Sequence, residues 1–427
     1  MFDVRKIQGA FSPAQEIHDP QLFAGRKDQI RRGMVSLINP GACLAIYGLR
    51  GVGKSSVARQ LQRIAQGDQT LPGLLDLARY SPENGFAFLT HYVQCDFSTP
   101  NIWELLKRIL FGDDRNPSLF TRASDGDRRL EAFRKTVASQ REAGFFGARI
   151  RTAGAPEKTS APYISDSIVQ QLQLLLGTIR HDHPEKSGLL IVIDGLEFLR
   201  DKSGLASLIK TCSSDYVKFA LVGISATVTA LVPDPFLIGR QMETIEIGRM
   251  AAVELEQILE RAEERVEKYF EFAPGAREII IQQSEGFPFF VHVLGREAML
   301  LALERHSRTI NRTNIEELNP LITRGGLGSM YEELYYAAVK NSPQRETLLK
   351  LFAESKGDEI FSEEIYRIAR EFEVAHPAQL MKELTSGEHR EAVLVKIRNK
   401  YYRFADPVFK VYARTHHWKF DATAKQK

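Results

Sequence analysis

At 427 residues the chain is too long for one compact core, and roughly two to four units are expected. Its composition, 43% hydrophobic, 26% charged and 9% aromatic with no low-complexity tract, excludes long disordered spans; a net charge of +3 is too small to argue for nucleic acid by itself. Apolar runs such as "GLLIVI" fall far short of the roughly 20 residues that span a bilayer, "MFDVRKIQ" lacks a signal-peptide core, and Cys43, Cys95 and Cys212 are widely spaced, so a cytoplasmic protein with free thiols and no membrane partner is expected.

The first informative element is the run Ala42 to Tyr47, a short buried strand, followed by "GLRGVGKSS" and a helical pattern with Val57, Leu61, Ile64 and Ala65 on one face. Gly48, Gly53, Lys54 and Ser55 fit G-x-x-x-x-G-K-[ST] between that strand and helix. In such a loop the backbone from Gly48 through Gly51, Val52 and Gly53 to Ser56 surrounds phosphate oxygens, and glycine is required because a side chain blocks the approach. Lys54 neutralises the outer phosphates and the Ser55 hydroxyl ligates Mg²⁺. ATP or ADP with Mg²⁺ is the expected ligand.

A second strand spans Phe86 to Asp96, and a long interval, 97–187, follows it. That interval holds a helix in "IWELLKRILFG" and a basic stretch in which Arg128, Arg129, Arg134, Lys135, Arg141, Arg149 and Arg151 outnumber the acids. It reads either as a site for a phosphate backbone or an acidic partner, or as a solvated helical face. The next strand, Leu189 to Ile193, terminates in Asp194, the expected second partner of Mg²⁺. Glu197 is the nearest carboxylate to act as a base on water; its other reading is a surface residue paired with Arg200 or Lys202. A strand over Phe219 to Gly223 brings Ser225 or Thr227 either to the γ-phosphate or to a capping role. Arg240 precedes a fifth strand, Met242 to Ile247, and either reaches a neighbouring subunit's phosphate or lies in solvent. Strands alternating with helices imply an α/β fold with a five-stranded parallel sheet covered by helices.

Beyond Ala251, the stripe Leu255, Ile258, Leu259, Ala262, Val266, Tyr269 and Phe270 predicts a helical lid. Thr313 with Glu316 reads as a capping box for a further helix, and "TRGGLGS" as a hinge. Helical patterns over Arg345 to Ala353, Ser362 to Phe372 and Pro377 to Thr385, then a hairpin of Ala392 to Ile397 and Tyr401 to Phe404, predict a winged helix. From Pro377 to the end there are 11 Lys or Arg against 5 Asp or Glu, with Lys396, Arg398, Lys400 and Arg403 at the wing. The third helix offers only Lys382, beside Glu383, so any DNA contact is expected to be to phosphates rather than base edges. His181, His183, His416 and His417 have no partner ligands at metal-binding spacing and are read as exposed.

Together these residues resemble an AAA+ ATPase of the branch that includes origin-recognition and transposition-helper ATPases and the related STAND switches. "QLFAGRKDQIRR" looks like the family's adenine-side motif, which places Phe23, Gly25 and Arg26 near the base. "DGLEFL" is similar to the STAND form of the acidic strand end, with Phe198 where the last acid usually stands. "SEGFPFFVHVLGREA" looks like the lid motif in which Gly286 and Pro288 open a helix over the nucleotide, with Arg296 one to two turns on, and "KYYRFADPVFKVYAR" resembles the end of the family's winged helix. The resemblance implies an N-terminal segment over 1–40, a P-loop core over 41–250, a lid over 251–322 and a winged helix over 330–420. It also implies an ATPase acting as a conformational or assembly switch, a homo-oligomer joined through Arg240, and output to DNA or a separate effector protein. The alternative is a non-hydrolysing, nucleotide-locked binding module or scaffold.

Overall fold

The computed structural model describes residues 2–13, 15–122, 166–235, 239, 241–324, 328–385 and 392–415. The basic stretch between Arg128 and Arg151, and Arg240, lie outside the described residues. The chain forms two units, Ala14–Gln257, and Met1–Pro13 together with Ile258–Lys427.

In the first unit, β1 (Cys43–Gly48), β2 (Phe88–Gln94), β3 (Gly188–Asp194), β4 (Val217–Ile224) and β5 (Met242–Ile247) form a parallel sheet in the order β2-β3-β4-β1-β5. This is the five-stranded α/β sheet the sequence predicts. β3 is buried along its whole length, as a central parallel strand must be when helices cover both faces. Cys43 and Ala45 face a cluster with Leu105, Leu106, Leu175, Ile179 and Ile209, so by the two-residue period Leu44 and Ile46 face the other side. Helix Lys54–Ala65 buries Val57, Leu61, Ile64 and Ala65, the stripe read from the sequence.

Strand bounds differ at the ends. β1 takes in Gly48, while β2 stops at Gln94 because Asp96 turns the chain, its N–H donating to Thr99 Oγ1 (3.2 Å) and its carboxylate accepting from Ser98. Parallel pairing aligns Gly48 with Ile224 and Asp194 with Gln94 and Val222, which brings the C-terminal strand ends to one edge. Ligands of open parallel sheets bind at that edge.

In the second unit, helices Pro274–Ser284, Pro288–Glu304 and Arg312–Arg324 are joined by a two-residue parallel pair, Glu271–Phe272 with Thr309–Ile310. The last of them starts two residues earlier than the Thr313–Glu316 box requires. Asn314 Oδ1 accepts from the Asn311 N–H at 2.7 Å, which sets the start at Arg312, and Glu316 pairs instead with Arg312.

Residues 2–13 belong with these helices rather than with the rest of the N-terminal segment. Phe2 stacks on Tyr269, and Phe11 is 1% exposed against Gly295, where a Cβ would lie 2.4 Å from the Phe11 ring. The Ser12 N–H donates to His292 Nδ1 at 3.4 Å, and burial lowers the imidazole pKa to about 4. Because this folded-state value is depressed below the ordinary 6.5, the unfolded chain takes up a proton first as pH falls. Stability is therefore expected to decline from about pH 6.5 to about pH 4. Denaturation of wild type and His292→Gln at pH 7 and pH 5 checks this, with the wild type losing on the order of 2 kcal/mol more than the variant.

The C-terminal part has the expected winged-helix pattern: helices Pro343–Glu354, Ser362–Glu371 and Pro377–Thr385, then an antiparallel hairpin of Leu394–Arg398 and Tyr401–Phe404. Two elements escaped the sequence pattern, the helix Gly328–Val339 and a third strand of only two residues, Ile360–Phe361, paired with Tyr401–Phe404. Among the described residues no helix is long and apolar enough to cross a membrane.

Candidate nucleotide site

The loop between β1 and helix Lys54–Ala65 has the backbone the glycines predict. Gly51 and Gly53 take φ +79° and +94°, where an L side chain is strained, and a Cβ on Gly48 would lie 2.2 Å from the Ile247 carbonyl oxygen. The loop thus leads into a helix whose first-turn N–H groups have no intrahelical acceptor, the arrangement that receives an anion.

Three acidic or basic groups converge on it. Lys54 is 8% exposed, and its ammonium donates to the Leu49 carbonyl at 2.7 Å. Burial pushes its pKa down to about 8, against the favourable fields of Glu197 and Asp194. Asp194 closes β3 and is 6% exposed; burial raises its pKa, opposed by hydrogen bonds from Tyr92, Ser55 and the Gly195 N–H. Tyr92 Oη donates to Asp194 Oδ2 at 2.6 Å, and Gly195 N donates to Oδ1 at 2.8 Å. Glu197 is the exposed residue of the turn Leu196–Phe198, in which Leu196 is buried, and its Oε2 accepts from the Ile224 N–H at 3.0 Å.

This donor set fits Mg²⁺. The ion prefers hard oxygen ligands and keeps several waters, taking one or two protein groups together with substrate phosphates. A serine hydroxyl hydrogen-bonded to a carboxylate at the end of this loop is such a pair.

Arg26 is 4% exposed, and its guanidinium donates to the Val52 carbonyl (2.9 Å) and the Gly248 carbonyl (2.7 Å). Its own N–H donates to Glu254 at 2.7 Å, and burial lowers its pKa against the field of that carboxylate. Gly25 has φ +63°, and a Cβ there would meet Glu254 Oε1 at 2.5 Å. Arg26 therefore braces the loop through the Val52 carbonyl, and Phe23 is buried. Ser56 spends its hydroxyl oxygen on the Ile17 N–H (3.0 Å), which ties residues 15–19 to the loop helix. The Ser225 N–H reaches the Gly48 carbonyl at 3.2 Å, but its hydroxyl closes a turn onto the Thr227 carbonyl at 2.7 Å. Thr227 caps helix Val228–Leu231, its Oγ1 accepting from the Ala230 N–H at 3.2 Å.

Gly286 and Pro288 lie in the other unit. Glu285 and Gly286 both have positive φ, and Pro288 occupies the first position of its helix, which suits its fixed φ. The Glu285 carboxylate is held by Lys410 Nζ (3.4 Å) and by Arg414 on helix Pro407–Thr415. Arg296 pairs with its neighbour Glu297 at 2.7 Å. On the wing, Arg398 pairs with Glu359 (2.8 Å) and Lys400 with Glu363 (3.0 Å), so two of the basic residues read as phosphate contacts already have carboxylate partners.

Sequence reading missed Tyr92 and Glu254. A tyrosine inside the buried run "FLTHYVQ" was a signal, since a buried phenol needs a polar partner. The Glu254 signal was its place three residues after Ala251, whose N–H it accepts at 3.0 Å.

No family model matches the sequence, and no curated protein matches it. Among solved structures the chain is similar to the Aeropyrum pernix ORC2 protein in its ADPNP–ADP complexes, at 15% identity over 94% of each chain with a TM-score of 0.45. It is similar to Cdc6p from Pyrobaculum aerophilum, at 14% identity over 96% of this chain and 97% of that one, TM-score 0.42. It is also similar to the Thermotoga maritima RuvB Holliday junction branch migration motor, at 13% identity over 91% and 94%, TM-score 0.40.

Proposed function

We propose that the chain binds ATP with Mg²⁺ at the loop Gly48–Ser55 and acts as a nucleotide-controlled switch with slow hydrolysis. The observation that carries this reading is the convergence of Lys54, Ser55, Asp194 and Glu197 on one end of the parallel sheet, within one unit. Lys54 and the loop N–H groups hold phosphate oxygens, Ser55 takes the ion, and Asp194 orients it. When bound, Mg²⁺ neutralises charge that develops on the phosphates. Glu197 is the base that receives a proton from water. Its bond to the Ile224 N–H and the phenylalanine at position 198 support slow turnover, because one carboxylate oxygen is already engaged and no second acid follows.

The output passes to a partner of the second unit, in this reading a separate effector protein. Pairing of the wing residues Arg398 and Lys400 with Glu359 and Glu363 supports a protein over DNA, since a phosphate there competes with two carboxylates already beside these cations. Assembly with a second copy through Arg240 belongs to the same proposal.

Phosphate release by wild type and Glu197→Gln tests the role of this carboxylate. The variant is expected to bind ATP as tightly as the wild type and to lose at least about a hundredfold in turnover, the low end for removing a general base. Equal turnover in both removes Glu197 from the mechanism and leaves the non-hydrolysing module.

A further inference from the structure

We infer that Tyr92 is the positioning residue for Asp194, fixing through its phenol hydroxyl the carboxylate that orients the Mg²⁺ ion behind Ser55. The inference rests on the nucleotide-binding reading above and adds a residue that no motif in the sequence marks.

The geometry is specific. Tyr92 stands on β2 and Asp194 ends β3, the neighbouring strand, where pairing aligns Tyr92 with Val192 and puts the ring two residues short of the aspartate. The phenol spans that distance to reach Asp194 Oδ2 at 2.6 Å, while the Gly195 N–H holds Oδ1 at 2.8 Å. Each carboxylate oxygen thus has one donor from the sheet edge, and Ser55 adds a side-chain hydrogen bond to the same carboxylate. A carboxylate held on both oxygens is restrained against rotation about its Cβ–Cγ bond, so it would offer Ser55 and a bound ion one fixed orientation.

The ring itself is held. Tyr92 is 7% exposed, and the Arg59 guanidinium carbon lies 3.3 Å from the ring centroid, stacked on its face. Arg59 is fixed in turn by Glu16 at 3.0 Å and by Gln62 at 3.2 Å. Glu16, Arg59, Tyr92, Asp194 and Ser55 therefore form one connected chain from the N-terminal segment, across the loop helix, to the strand end. Partners behind a metal ligand orient it, and their removal typically costs about 10–100-fold in metal affinity or activity; Tyr92 stands one step further back, behind Asp194, so the low end of that range applies.

Tyr92→Phe separates this role from packing, because phenylalanine keeps the ring and its stacking on Arg59 and removes only the hydroxyl. The full-length wild type and variant are titrated with ATP by calorimetry, once with excess Mg²⁺ and once with EDTA. In the variant the affinity in EDTA is expected to stay within about twofold, whereas the gain conferred by Mg²⁺ falls by about tenfold or more. In an Asp194→Asn background the same change is expected to add no further loss, since the group that Tyr92 positions is gone. The Arg59→Gln variant keeps the hydroxyl and unstacks the ring; an intermediate loss of the Mg²⁺ gain is expected. An unchanged Mg²⁺ gain in Tyr92→Phe overturns the inference, as does a parallel loss with and without Mg²⁺, which marks a merely structural residue. Should Tyr92→Phe not fold, an unaltered Mg²⁺ gain in Arg59→Gln overturns it instead. Absence of any ATP binding by the wild type overturns the nucleotide-binding reading itself and is seen before any variant is compared.

Discussion

Replacing Lys54 with alanine is expected to abolish measurable ATP binding and to leave the chain folded. The ammonium is the cation of the phosphate loop, and without it the outer phosphates face Asp194 and Glu197 with no neutralising partner. Loss of one member of a buried charge pair costs about 2–5 kcal/mol, or roughly 30- to 5,000-fold in affinity. Folding is expected to survive because the charge is a burden where it sits. Burial has already pushed the Lys54 pKa down to about 8, so removing the group removes a desolvation cost along with one hydrogen bond to the Leu49 carbonyl. Calorimetry for binding, with circular dichroism and thermal melting for the fold, distinguishes the two effects.

Replacing Arg26 with methionine is expected to do the opposite, destabilising the first unit before any ligand is present. Methionine fills much of the same space but leaves the carbonyls of Val52 and Gly248 without the guanidinium that both accept from. At about 1–3 kcal/mol for each unsatisfied buried group, a loss of about 3 kcal/mol is expected, read as a shift in the denaturant midpoint at unchanged slope. ATP affinity is expected to fall as well, since the Val52 carbonyl lies in the phosphate loop. A variant as stable as wild type with weakened binding would return Arg26 to the direct nucleotide contact that the sequence motif implies.

The contrast between these two residues shows what the sequence made legible. Lys54 and Ser55 follow from local spacing, because the strand, loop and helix that place them are contiguous in the chain. β3 and Asp194 follow from a short apolar run with an acidic end, which needs no partner to be read. Arg26 does not follow in the same way. Its partners at 52, 248 and 254 are distant in sequence, and only the folded sheet shows that its fork is turned inward. Tyr92 was hidden for the same reason, since its partner lies 102 residues away. The Asn311–Asn314 cap was missed for a different reason, because two overlapping polar pairs compete for one helix start and a shift of two residues decides between them. The division of the N-terminal segment rests on where Phe2 and Phe11 find apolar neighbours, which no periodicity in six helical residues encodes.

The claim on which everything else depends is that the loop Gly48–Ser55 holds Mg²⁺–ATP, and titration of the full-length chain with ATP in Mg²⁺, beside Lys54→Ala, tests it most directly. The account predicts one saturable site per wild-type chain and none in the variant. No saturable binding by the wild type at millimolar ATP, or equal binding by a folded Lys54→Ala, would contradict it.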